Sequence, residues 1–124
     1  MSERSPLARV EGLGAAHSGT SHFYRQRVTA VALVPLAIWF AFSVFGLIGA
    51  DRDAAVAFFR SPINSILMAL FVIAALAHMM LGLQVIIEDY VHGEGAKLAL
   101  LVLNKFFAWL VGAACLFALV RIAV

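Results

Sequence analysis

Residues 61–87 read SPINSILMALFVIAALAHMMLGLQVII and are followed by Glu88-Asp89-Tyr90. The run carries no carboxylate, lysine or arginine. It far exceeds the roughly 18 apolar residues that mark a membrane-spanning helix. Ser61-Pro62 opens it, with proline tolerated in a first helical turn. The acidic pair and Tyr90 close it. One titratable side chain, His78, lies within.

Two more stretches behave alike. Residues 28–50 hold no charge, and residues 98–120 are interrupted only by Asn104 and Lys105. Lys105 is near enough to an end to snorkel towards the surface. The chain has 124 residues, 64% apolar and 13% charged, against about a quarter charged in a globular domain. A soluble domain of this size cannot bury that much apolar surface in one core. The sequence therefore predicts an all-α integral membrane protein with three transmembrane helices, at about 28–50, 62–89 and 97–121. Residues 25–124 form the transmembrane domain and residues 1–24 an N-terminal arm rich in Ser, Gly and Arg. Asp51-Arg52-Asp53 reads as a first loop, and Gly93 and Gly95 as a break before Lys97 starts the third helix.

Other classes are excluded early. A formal net charge of +2 gives no footing for nucleic acid. Cys115 is the single cysteine, with no disulfide framework and no zinc spacing, and reads as a small buried hydrophobe. The arm lacks the apolar core of a signal peptide, and Glu3 and Glu11 argue against a mitochondrial transit peptide. A bacterial inner (cytoplasmic) membrane protein targeted by its first helix fits this pattern. Arg4, Arg9, Arg25 and Arg27 precede the first helix, and Lys97 follows the second on the same side. Only Arg52, Arg60 and Arg121 lie opposite. The positive-inside bias predicts a cytoplasmic N-terminus and a periplasmic C-terminus.

Three groups of residues can carry chemistry. A polar side chain at the depth of His78 is costly and faces a bundle interior or a cofactor. Neutral imidazole is a common axial ligand of haem iron. Gly82, four residues on along the same face, offers clearance beside such a ligand. The competing reading is a histidine hydrogen-bonded to a neighbouring helix, worth about 1 kcal/mol. His17, His22 and His92 lie outside the spans, so a second axial imidazole must come from another chain. Asp89 falls close to the His78 face at 100° per residue, about 16 Å further along at 1.5 Å per residue. With Tyr90 it sets a carboxylate and a phenol at the membrane boundary. They either handle the oxygens of a quinone or form an interfacial anchor beside a solvated helix end. Arg25 and Arg27 meet anionic headgroups or an anionic cofactor group such as a haem propionate. Ser18, Thr20 and Ser21 are candidate caps for the first helix, and Asn104 a helix–helix contact.

Together, these segments resemble the smaller hydrophobic membrane anchor, the D subunit, of succinate dehydrogenase. The resemblance rests on Arg27-Val28-Thr29-Ala30 after the Gly/Ser/His-containing arm, and on His78, Gly82 and Asp89-Tyr90 as an H-x3-G-x6-D-Y pattern. Residues 18–27, SGTSHFYRQR, look alphaproteobacterial. The resemblance implies half of a six-helix anchor bundle, completed by a second anchor (C) subunit. That bundle would hold an iron–sulfur and a flavoprotein subunit on the membrane. It implies His78 as axial ligand to the iron of a shared haem b, and Tyr90 as a hydrogen-bond donor to ubiquinone. Asp89 would be the acidic neighbour, and Arg27 the basic residue near the propionates and quinone pocket. The chain would be a non-flavin subunit of a respiratory complex II, holding no catalytic residue for dicarboxylate chemistry. The anchor of a fumarate reductase has the same architecture. A cofactor-free membrane scaffold is the alternative from another class. Transport is disfavoured because no span carries a buried acid or a Gly/Pro-broken centre.

Overall fold

The computed structural model describes Pro6 and residues 17–124. The rest of the arm, with Glu3 and Glu11, lies outside the described residues. Four helices occupy them: α1 (His17–Gly46), α2 (Arg52–Arg60), α3 (Pro62–Tyr90) and α4 (Glu94–Ala123). No strand occurs among the described residues. Three of the helices, α1, α3 and α4, are long and apolar enough to cross a membrane. The chain is an all-α, multi-pass membrane protein.

The helix boundaries depart from those expected in three places. First, α1 begins at His17, so it takes in residues 17–24 of the expected arm. Ser18, Thr20 and Ser21 lie inside the helix rather than at its cap. Thirty residues of helix rise about 45 Å, against a hydrocarbon layer of about 30 Å. Polarity marks where lipid ends; it does not end the helix. The helix runs through Pro35 and stops at a turn where Gly49 takes φ +78°, a conformation that suits glycine. Second, the first loop is largely helical. Asp51 caps α2 by accepting a hydrogen bond from the Ala54 N–H at 2.9 Å. Asp53 in the first turn and Arg60 in the last suit the helix dipole. Third, α4 starts at Glu94, with Gly93 at the cap and Gly95 within the helix.

Pro62 opens α3 at its first turn, as expected. α3 is central: α1 and α4 each pack on it and not on each other, while α2 touches α3 and α4. This is an open layer rather than a closed bundle. Among the described residues only Leu81, Ala108 and Asn104 are buried, so these helices form almost no core of their own. Cys115 is exposed on α4, against the buried position expected for it. An apolar run at an outer helix face meets lipid or a partner, not the chain's own interior.

Candidate functional site

The seam between α1 and α3 holds the polar side chains. His22, Gln26 and Thr29 recur at four- and three-residue spacing, which puts them on one face of α1. All three are half-buried, as is His78 on α3. Thr29 Oγ1 lies 3.1 Å from His78 Nδ1. It also lies 2.9 Å from the Arg25 carbonyl oxygen and 3.0 Å from that of Gln26. Two buried polar atoms of this face, His22 Nε2 and Gln26 Oε1, have no partner among the described residues. Higher in the same seam, Phe40 and Phe71 stack at 4.6 Å between ring centroids.

The Thr29 contact fixes the depth of His78. The imidazole is level with the start of α1's charge-free run, about 3 Å of helix rise from Arg27. Read on its own helix, His78 looks well inside the span; its neighbour shows it close to the arginine-bearing end. Gly82 faces α1 in the same seam: a Cβ added there would sit 3.6 Å from Gln26 Nε2, at ordinary van der Waals contact.

The remaining sequence candidates are not drawn to His78. Asp89 and Tyr90 are exposed at the end of α3, Tyr90 by 78%. Arg27 is exposed, with its guanidinium 5.1 Å from the Phe23 ring centroid. His92 is exposed in the short α3–α4 connection. Sequence reading missed Thr29 and Gln26 as neighbours of His78. Their polar spacing on one face of α1 was the available signal.

The opposite face of α3 is different. Asn104, Ala108 and Gly112, four residues apart on α4, meet it. Asn104 Nδ2 donates to the Met80 carbonyl at 2.8 Å, the helix–helix contact expected of it. A Cβ on Gly112 would come within 3.2 Å of Leu76 Cδ1. A groove of about 410 Å³ lies here, lined by residues such as Leu76, Met80 and Trp109. None of its lining residues is titratable.

His78 suits one coordination role. Nδ1 is engaged by Thr29, while Nε2 has no hydrogen bond among the described residues and is not sealed inside the chain. No group of three or more His, Cys, Asp or Glu that could hold a bare ion occurs among the described residues. The donor set is one imidazole nitrogen without a hydrogen bond among the described residues. It fits an axial position whose opposite ligand comes from elsewhere.

Residues 1–112 match the family model for the succinate dehydrogenase/fumarate reductase transmembrane subunit. The chain belongs to this family. The succinate dehydrogenase hydrophobic membrane anchor subunit of Paracoccus denitrificans is 38% identical over 94% of this chain and 90% of its own length. The corresponding subunit of Rickettsia bellii (strain RML369-C) is 32% identical over 85% of this chain and 84% of its own. The succinate dehydrogenase membrane anchor subunit of Reclinomonas americana is 35% identical over 73% and 78%. Membership of the transmembrane-subunit family accounts for the scarcity of soluble structure. It also bears out the resemblance read from Arg27 to Ala30 and from His78 to Tyr90.

Proposed function

We propose that the chain is the small membrane anchor of a succinate:quinone oxidoreductase, sharing a haem b and a ubiquinone-reduction site with a second anchor subunit. The observation that carries this reading is His78 Nε2 left without a hydrogen bond among the described residues while Thr29 holds Nδ1, in a chain of this family. A bound haem b would supply a reversible one-electron site. His78 would hold its iron from one side, and the second anchor would provide the opposite ligand. Arg27, about 3 Å of rise from the level of His78, would face the anionic propionates by exchanging its contact with Phe23. The relatives' names favour succinate oxidation over fumarate reduction.

Tyr90 would donate its phenol hydrogen to a quinone carbonyl oxygen, where negative charge develops as the quinone is reduced. Asp89 would set the local charge beside it. Both project beyond the seam, so the pocket would be completed by the second anchor and the iron–sulfur subunit, with the flavoprotein subunit beyond. The arginine-bearing end would face the cytoplasm of a bacterial inner membrane, with the C-terminus periplasmic.

The test is the visible spectrum of the protein purified with its co-purifying chains. A reducible b-type band is expected, and a colourless complex would leave the cofactor-free scaffold. For orientation, a C-terminal reporter active only in the periplasm should light up. Activity of a cytoplasm-only reporter would reverse the topology.

A further inference from the structure

We infer that Thr29 is a positioning residue: it fixes His78 in the tautomer protonated at Nδ1 and so presents the Nε2 lone pair as the ligand. A threonine hydroxyl has one hydrogen and two lone pairs. Oγ1 of Thr29 lies 2.9 Å and 3.0 Å from two carbonyl oxygens of its own helix, and carbonyl oxygens only accept. With the hydroxyl hydrogen directed at them, both contacts belong to one shared hydrogen bond, a familiar habit of helical threonine. With the hydrogen directed at His78, both become lone pair against lone pair at the same distances. The hydrogen therefore goes to the backbone. What Oγ1 turns towards Nδ1, at 3.1 Å, is a lone pair, and Nδ1 must carry the proton. A neutral imidazole has only one such proton, so Nε2 is bare.

What Nε2 ligates rests on the haem reading above; the tautomer rests on this chain alone. An acceptor on the far N–H of a ligating histidine fixes ring orientation and raises the basicity of the ligand. A more basic ligand favours the ferric state and lowers the reduction potential. No other hydrogen bond to Nδ1 occurs among the described residues. Gln26, the nearest alternative by position, has its amide nitrogen beside Gly82 instead.

The experiment compares Thr29→Val, Thr29→Ser and the parent as purified complexes, by redox titration of the b-type band and by EPR of the ferric state. Thr29→Val keeps the shape and removes the acceptor. It should retain haem and raise the midpoint potential by about 59 mV, the one-electron equivalent of a tenfold loss in relative ferric affinity. Thr29→Ser restores the acceptor and should return the potential and g-values to those of the parent. If the Val variant does not assemble, Thr29→Ala removes the same acceptor with less bulk. An unchanged potential and spectrum in a haem-bound Val or Ala variant overturns the inference. Absence of a b-type band in the parent marks failure of the haem reading instead. In that case the ¹⁵N shifts of histidine-labelled protein decide the tautomer, and a proton on Nε2 overturns it.

Discussion

The two faces of α3 are built on different principles. Towards α4 the seam is apolar and closely approached: Gly112 leaves room for Leu76, Ala108 is buried, and Asn104 ties to a backbone carbonyl of α3. Towards α1 the seam carries His22, Gln26, Thr29 and His78, and leaves His22 Nε2 and Gln26 Oε1 buried without partners among the described residues. An unpaired buried polar atom costs about 1–3 kcal/mol. A chain concerned only with holding two helices together gains nothing from two of them. The α4 seam is finished within this chain apart from Asn104 Oδ1. In the proposed function the second anchor and its haem complete the α1 seam. The contrast separates the seam that holds the layer together from the seam that carries the proposed site.

Substitutions at the proposed quinone end and in the α4 seam should give opposite responses. Tyr90 lies beyond both seams and is mostly exposed, so Tyr90→Phe should leave stability alone and strike function. Succinate–quinone turnover should fall tenfold or more, since losing a donor at a preorganised developing oxyanion typically costs about 2.7–4 kcal/mol. Succinate oxidation with a soluble dye that takes electrons ahead of the quinone should stay nearly unchanged. Equal loss in both assays would mean failed assembly, and normal quinone turnover would make Tyr90 an interfacial anchor only. Asn104→Ala should do the reverse, with the smaller effect. The Met80 carbonyl keeps its place in the α3 hydrogen-bond ladder, so only one interhelical hydrogen bond is lost. Such bonds average about 0.6 kcal/mol in membranes. Thermal unfolding in detergent should show that modest loss with haem content unchanged. Loss of haem in this variant would erase the distinction between the seams.

The sequence made the three spans legible because each is a long run free of charge, a signal that survives ignorance of tertiary contacts. It misplaced the start of α1 because Arg25, Gln26 and Arg27 read as the end of a helix when they mark only the end of lipid. It passed over α2, although Asp51 as a cap and Arg60 in the last turn were both visible. At the site, His78 stood out by chemistry alone. Its level against α1, its contact with Thr29 and the placing of Gln26 opposite Gly82 all depend on the register of α1 against α3. That register pairs residues some fifty positions apart, and no local pattern encodes it.

The central claim is that the α1 side of α3, through His78, is a cofactor site and the α4 side is not. Low-temperature EPR of the oxidised complex tests it most directly, with His78→Ala and Asn104→Ala measured beside the parent. The parent and Asn104→Ala should share one low-spin ferric signal typical of two imidazole ligands, and His78→Ala should lose or change it. The same low-spin signal persisting in His78→Ala would contradict the account.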